Sequence, residues 1–281
     1  MILSGKEAAG ALRAELKERI GKLPVQPTLA VLRVGEDPSA AGYLNGIRRA
    51  AEEVGVTVRI ETLPEDCSEE TLFAAIRSLN EDEAVHGILL MQPLPAHLKP
   101  LREKVFAAIA VEKDVDGLTP VSNAATFNDW NLGFRPCTAE SCLRLLDYYG
   151  IDCTGKRAVV LGRSVVIGRP AAMLLLARNA TVTVCHTKTV DIQSVCRKGD
   201  IVIAAVGQKE LVRGDWLKPG AVVLDVGTNW DEEAGKLVGD VCFREAEPIC
   251  AAISPVPGGV GTVTSTVLLE HVVRAAERAA S

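Results

Sequence analysis

Apolar positions along the chain fall into two periods, and their alternation predicts the elements in order. Residues 4 to 21 carry apolar groups at helical spacing, and Thr28 to Val34 is an apolar run closed by Gly35, so a helix and then a buried strand are expected. Glu36, Asp37 and Pro38 turn the chain, and Ser39 is placed to cap a helix running to about Val54. A strand at Thr57 to Thr62 follows, then a helix at Ser68 to Asn80 with Glu69 and Glu70 in its first turn, then a strand at Gly87 to Met91. Gln92-Pro93-Leu94-Pro95 cannot be helix, and it leaves Gln92 at the carboxyl end of its strand, where ligands sit in open α/β sheets. A helix at about His97 to Ala110 leads into the charged loop 111 to 117. Pro120 to Pro136 has little periodicity and reads as linker and loop.

The second half repeats the alternation with shorter, more apolar strands. A helix at Thr138 to Gly150 precedes strands at Ala158 to Leu161, Thr181 to Val184, Ile201 to Val206, Ala221 to Val226 and Ala251 to Ile253. Runs this uniformly apolar suit a parallel sheet covered on both faces. A last helix, Thr262 to Ala280, is long enough to return to the amino-terminal domain. The expected fold class is therefore α/β: an amino-terminal α/β domain over residues 1–118 with 265–281, a Rossmann-type doubly wound domain over 137–264, and a cleft between them.

The strand ending at Leu161 runs into Gly162 to Gly168 and then a helix opening at Pro170, which is the order strand, phosphate-sized turn, helix. Pro170 suits a first helical turn, and the free N–H groups and positive dipole end there favour an anion such as a pyrophosphate. The spacing is Gly-x5-Gly and not G-x-G-x-x-G, so a plain strand-to-helix turn is the competing reading. The next strand ends in Cys185-His186-Thr187-Lys188-Thr189, without the acid that would hold a ribose 2′-hydroxyl. Arg163, Thr187 and Lys188 suit a 2′-phosphate instead, which favours NADP over NAD.

Composition narrows the function classes. The chain has 281 residues, 48% of them apolar, without a long uninterrupted apolar run, and its amino terminus lacks the zones of a signal peptide. A formal charge of −5 gives no footprint for nucleic acid. Eight cysteines with no C-x-x-C pair read as reduced, cytosolic residues and not as disulfides or a zinc site. Small molecules or protein partners are expected, with no metal, no membrane and no nucleic acid.

Taken together, Lys113-Asp-Val-Asp-Gly117, Val160-Leu-Gly-Arg-Ser164 with Gly168 and Pro170, Thr183-Val-Cys-His186 and Pro255-Val-Pro-Gly-Gly-Val-Gly261 resemble the bifunctional methylenetetrahydrofolate dehydrogenase/methenyltetrahydrofolate cyclohydrolase family, known as FolD. The resemblance implies a folate-binding amino-terminal domain, an NADP-binding Rossmann domain, a tetrahydrofolate derivative as substrate, and a cytoplasmic homodimer. It places Gly162, Arg163, Ser164, Gly168, Thr187 and Thr228 at the cofactor, Tyr43, Gln92 and Asp116 at the folate as substrate-binding and catalytic groups, and Pro257-Gly258-Gly259 along the substrate. An ionised Asp116 pairs well with a pterin's ring N–H and amino group, although alone it could be a solvated loop acid or a cap. Gln92 could merely satisfy backbone, and Tyr43 alone would pass for an ordinary amphipathic tyrosine. His186 reads as structural or as a cofactor neighbour, not as catalytic.

One departure from the family pattern bears on mechanism. The family tyrosine is followed four residues later by a catalytic lysine on the same helix face, and here Tyr43 is followed by Ile47. Arg48 and Arg49 point about 100° and 200° further around a helix and do not replace it. Oxidation mainly needs two rings held face to face, whereas hydrolysis needs activated water and proton shuttling. The expectation is a dehydrogenase with weak or lost cyclohydrolase activity. The alternatives are a bifunctional enzyme that uses another group, an unrelated NADP oxidoreductase, and a non-catalytic folate or NADP sensor.

Overall fold

The apolar run Thr28–Val34 is long enough to be covered on both faces, and in the computed structural model of the protein it forms β1, the middle strand of a three-stranded parallel sheet. The structure describes residues 1–280 apart from the side chains of Pro38 and Ser39, so the cap expected of Ser39 lies outside the described residues. The chain divides into two compact units, one made of residues 11–137 with 265–281 and the other of residues 1–10 with 138–264.

In the first unit, α1 (Gly5–Ile20, counted here from residue 11) is followed by β1, α2 (Pro38–Val54), β2 (Thr57–Leu63), α3 (Glu69–Glu81) and β3 (Gly87–Leu90). The sheet order is β2-β1-β3, all parallel. Because the chain places β2 on one side of β1 and β3 on the other, a crevice opens outside the carboxyl ends of β1 and β3. Leu32, Leu72, Ile76, Leu79, Ile88 and Leu98 form the heart of the core on one sheet face. Ser68 caps α3 by accepting the Thr71 N–H at 3.3 Å.

Two expectations for this unit are corrected. The helix expected over His97 to Ala110 is a single 3-10 turn at Lys99–Leu101 followed by the short α4 (Arg102–Ala107). Pro100 takes an early position in the 3-10 turn, where its missing N–H costs no helical hydrogen bond. The supposed loop after Leu118 contains α5 (Pro120–Asn128). Thr119 caps it by accepting the Ser122 N–H at 3.1 Å, and Pro120 takes the first helical position. Its apolar residues are divided between a buried side, with Ala125, and an exposed one, with Val121 and Phe127, which hides the helical period.

The second unit runs α6 (Cys137–Tyr148, from residue 138), β4 (Arg157–Leu161), α7 (Gly168–Ala177), β5 (Thr181–Cys185), α8 (Ile192–Cys196), β6 (Ile201–Ala204), β7 (Val222–Asp225), the hairpin β8 (Asn229–Asp231) and β9 (Lys236–Val238), α9 (Phe243–Ala246) and β10 (Ala252–Ile253). Its five strands are parallel in the order β10-β7-β6-β4-β5. The winding reverses at β4, between β5 and β6, as in a doubly wound fold. The chain start completes the outer edge. Leu3 N–H donates to the Ile253 carbonyl at 2.9 Å, and Gly5 N–H to the Gly258 carbonyl at 2.8 Å.

The final helix, α10 (Val260–Ala279), belongs from residue 265 to the first unit. Arg19 of α1 pairs there with Glu277 at 2.8 Å, and His271 and Val272 lie against the segment around Val115. Among the described residues, no helix is long and apolar enough to cross a membrane, and no group of His, Cys, Asp and Glu could hold a metal ion.

Candidate active site

In the first unit, the crevice at the carboxyl ends of β1 and β3 is occupied by polar groups. Tyr43 from the second turn of α2, Gln92 just beyond β3, and Asp116 line one recess with Ala40, Leu89, Leu90 and Met91, and its open volume is about 510 Å³. The structure thus brings together three residues far apart in sequence. Gln92 precedes a cis peptide bond to Pro93, and its Nε2 lies 3.4 Å from the Met91 carbonyl.

Asp116 sits in a loop held from several directions. Lys113 Nζ donates to the carbonyls of Leu79, Asn80 and Asp82 at 3.0, 2.7 and 2.8 Å, so it caps the end of α3. Asp114 accepts the N–H groups of Leu118 and Thr119 at 3.0 and 2.9 Å. Gly117 has φ +72, and a side chain there would strike the Arg135 backbone at about 2.5 Å, so only glycine lets the chain pass. Burial, then the charge of Asp114, push the Asp116 carboxyl up to about 6, opposed by a hydrogen bond from Cys137 and by His271 and Arg102. Tyr43 is 37% exposed as a residue, yet its hydroxyl end is desolvated, and burial followed by Asp116 and Cys137 moves it well above the usual phenol range. One turn further along α2, Ile47 is fully buried, while Arg48 and Arg49 are exposed.

In the second unit, parallel pairing puts every strand's carboxyl end on one edge, and the predicted cofactor residues all fall there. The turn Gly162 to Gly168 follows β4, Thr187 follows β5 and Thr228 follows β7, and the expected substrate segment Pro257-Gly258-Gly259 follows β10 on the same edge. Gly162 has φ +109, and a side chain on it would meet the carbonyl of Ala205, just beyond β6. A Cβ on Gly168 would meet the Gly162 carbonyl. Both glycines therefore let strand and helix close up at the point where the winding reverses, and the turn stays narrow enough for backbone to approach a pyrophosphate. Arg163, Ser164, Thr187 and Thr228 are exposed.

One expectation for the turn needs correction. The helix-start N–H groups are not all free, because Ser164 Oγ accepts from Ile167 and Gly168 at 3.1 and 3.4 Å, and its carbonyl accepts from Arg169 at 3.0 Å. Ser164 shapes the turn as well as facing outward. His186 shapes the turn after β5: its Nδ1 accepts the Lys188 N–H at 3.1 Å, and its own N–H donates to Thr189 Oγ1 at 2.9 Å. The Pro-Gly-Gly turn has a cis Val256-Pro257 bond, and Gly259 packs so tightly on the Pro255 carbonyl and on Gly5 that neither glycine could carry a side chain without displacement.

Sequence reasoning missed several groups. Cys137 and His271 lie beside Asp116, yet they come from stretches that share no motif with it. Asp240, fully buried, accepts the N–H groups of Val206, Gly207 and Gln208 at 2.6, 2.9 and 2.9 Å and so shapes the loop beyond β6. Buried acids of this kind leave no apolar signal. Asp114, by contrast, stands in the Lys113–Gly117 motif beside Asp116.

Comparison with known proteins agrees with this arrangement. The profile described as the catalytic domain of tetrahydrofolate dehydrogenase/cyclohydrolase matches residues 3–116, and that described as its NAD(P)-binding domain matches residues 136–280. The chain is 49% identical over 280 residues to the bifunctional protein FolD of Moorella thermoacetica, covering 99% of each. It is similar to the crystal structure of the bifunctional FolD dehydrogenase/cyclohydrolase of Campylobacter jejuni, with a TM-score of 0.95, 40% identity and 99% of each chain covered. The Trypanosoma brucei FolD structure, complexed with NADP cofactor and inhibitor, matches with a TM-score of 0.92 and 38% identity, over 99% of this chain and 97% of that one.

Proposed function

Since the chain belongs to the tetrahydrofolate dehydrogenase/cyclohydrolase family, we propose that it oxidises 5,10-methylenetetrahydrofolate with NADP in one-carbon folate metabolism and hydrolyses the methenyl product poorly. The observation that carries the second half is the fully buried Ile47 one turn beyond the recess-lining Tyr43.

Asp116 supplies the anion that a pterin's adjacent N–H and amino group pair with, and Tyr43 and Gln92 offer a hydroxyl and an amide around the same recess. These groups bind and orient the folate. NADP supplies the hydride acceptor, and Gly162, Arg163, Ser164, Gly168, Thr187 and Thr228 are the residues that would hold it. The side-chain-free backbone at Gly162 and Gly168 fits the pyrophosphate, and the exposed Arg163 beside the turn, with no acid at the end of β5, fits a 2′-phosphate. The nitrogen lone pairs of the folate stabilise the methenyl cation, so oxidation asks no proton transfer of the protein. Hydrolysis does. Water must lose a proton as it adds to the methenyl carbon, and a ring nitrogen must gain one as the carbon–nitrogen bond opens. A positioned acid–base typically contributes roughly a hundred- to ten-thousand-fold, and isoleucine provides none of it.

The test is to mix protein, methylenetetrahydrofolate and NADP, following reduced nicotinamide together with methenyl product, beside a buffer-only decay control. Nicotinamide reduction with methenyl decay no faster than in buffer is expected. Accelerated decay would mean that another group has replaced the lysine, and no reduction with either NADP or NAD would defeat the dehydrogenase reading. A cytoplasmic homodimer completes the proposal on the family resemblance alone, and sedimentation of the purified chain tests the dimer.

A further inference from the structure

Past the carboxyl ends of β6 and β7, one buried carboxyl group gathers two loops. Asp240, 0% exposed, presents Oδ2 to the N–H groups of Val206 and Gly207 at 2.6 and 2.9 Å. Its Oδ1 accepts the Gln208 N–H and the Asn229 side-chain amide, both at 2.9 Å. Three of these donors are consecutive backbone groups of the loop beyond β6, and the fourth belongs to the residue after Thr228, beyond β7. A second buried acid seats the first. Asp225, the last residue of β7, accepts the backbone N–H groups of Gly227, Asp240 and Val241, each at 2.9 Å. Thr228 therefore lies between two residues, Gly227 and Asn229, that are each tied to this pair of acids.

These ties have a direction. Both oxygens of Asp240 meet N–H donors, so the group accepts throughout, and Asn229 must present its Nδ2 and not its oxygen. The fit is also close. A Cβ on Gly227 would collide with the Asp240 carboxyl group, and one on Gly239 with that of Asp225, so both acids reach the backbone only because these positions lack a side chain. On its other side the loop beyond β6 abuts the turn assigned to the pyrophosphate. The Ala205 N–H donates to the Leu161 carbonyl at 2.8 Å, and the Ala205 carbonyl lies where a Gly162 side chain would be. Asp240 thus joins a loop in contact with Gly162 to the turn that carries Thr228, and residues expected at the cofactor stand at both places.

We propose that Asp240 is a positioning residue for NADP: its carboxyl group locks the loop beyond β6 to the Thr228 turn, so that the cofactor meets a surface already set before it binds. This rests on the assignment of the 162–168 turn and Thr228 to the cofactor. A loop held in its bound form adds no ordering cost on binding, whereas one released by loss of its acceptor has to be ordered again by the ligand. The cost falls on affinity. Contacts that grip NADP alike before and during hydride transfer set KM and the dissociation constant and leave kcat in place. The residues assigned to folate belong to the other unit, so folate serves as the internal control.

The experiment titrates the full chain with reduced NADP by nicotinamide fluorescence, beside steady-state kinetics in NADP and in methylenetetrahydrofolate, for Asp240→Asn, Asn229→Asp, the double variant and Thr228→Val. Asp240→Asn sets an amide N–H against other N–H groups and should raise the dissociation constant and KM for NADP about tenfold or more, with kcat and KM for folate within about twofold. Asn229→Asp alone brings two carboxyl groups face to face and should do the same. In the double variant donor and acceptor have changed places, so NADP affinity should recover at least about threefold over either single variant. Loss of stability alone would lower the active fraction and leave the NADP affinity of the surviving protein where it was. Should Asp240→Asn not fold, Asn229→Ala cuts the Asp240 tie to the Thr228 turn and takes its place, with an expected rise of about threefold or more. Unchanged NADP affinity in the Asp240 and Asn229 variants, beside weakened binding in Thr228→Val, would overturn the role of Asp240. NADP binding indifferent to Thr228→Val would instead overturn the cofactor assignment beneath it.

Discussion

A Cβ built on Gly168 would lie 2.2 Å from the carbonyl oxygen of Gly162, six residues earlier and across the turn. No real side chain tolerates that distance, so the first residue of α7 can meet the residue just after β4 only as glycine. The consequence is local. Gly168→Ala should push the turn outward and raise KM for NADP by more than about tenfold, the scale of roughly 1.4 kcal/mol or more, while folate binding by the separate unit is retained. Steady-state kinetics in NADP, with folate binding followed by fluorescence, would check this, and an unchanged KM for NADP would remove the turn from the cofactor site.

Replacing the exposed Arg163 by alanine should lower the NADP-to-NAD ratio of kcat/KM by about tenfold or more, because a charge-assisted contact to the 2′-phosphate is worth roughly 1.5–3 kcal/mol. The comparison needs both nicotinamides on the same preparation. A proportional loss with both would mean that Arg163 holds the shared pyrophosphate.

Ile47→Lys should accelerate methenyl decay at least about tenfold over the natural chain, within the range one acid–base group supplies. Ile47 is 0% exposed, so the amine must reach the recess or lose its charge, and the variant should be less stable by about 1–3 kcal/mol. Ile47→Met, of similar length without an amine, is the control and should leave hydrolysis where it was. If lysine and methionine behave alike, the absence of a lysine at position 47 does not account for the weak hydrolysis.

The folate site should show an acid limb. Asp116 titrates at about 6, raised mainly by burial, so it is ionised and able to pair with the pterin above that pH and is neutral below it. Folate affinity should therefore fall as the pH drops through about 6. The same shift carries the opposite sign for stability of the free protein: a carboxyl raised above its unfolded value favours the fold below the unfolded pKa, and that contribution is lost as pH rises through about 6. Folate binding and folate-free denaturation, measured over one pH series, should move in opposite directions from this group.

Lys113→Met should loosen the Asp116 loop from behind. Its ammonium serves three carbonyls at the end of α3, and losing charged donors there should cost about 2–4 kcal/mol in urea unfolding, reduced where solvent can replace them. Lys113→Arg should not fully rescue, since a planar fork does not reproduce three donors spread from one nitrogen.

Much of this molecule is legible in one dimension, for reasons that also mark where legibility stops. β1, β4, β6 and β7 are built on near-continuous apolar runs because both faces of each sheet are covered, and such runs stand out in any sequence. α5 does not stand out. It is held by Thr119 and Pro120, two residues of local chemistry, while its apolar residues divide between buried and exposed sides. The hairpin β8–β9 has three-residue strands with acidic and basic members, too short for any period to register. In the site, Tyr43, Gln92 and Asp116 are recovered from motif resemblance, and the topology then explains their meeting at the ends of β1 and β3. Cys137 and His271 are different: 134 residues separate them, and only the folded chain aims both at the Val115 carbonyl.

The outer edge of the five-stranded sheet has a temporal side. The Met1 ammonium donates to the Ala251 carbonyl across 250 positions, and Ile2 bridges Ile253. Residues 1 and 2 thus pair with a stretch some 250 positions away in sequence, so this edge closes only when both stretches are present. A chain cut short before residue 252 would lack β10 and leave β7 as an open edge, free to pair with another molecule.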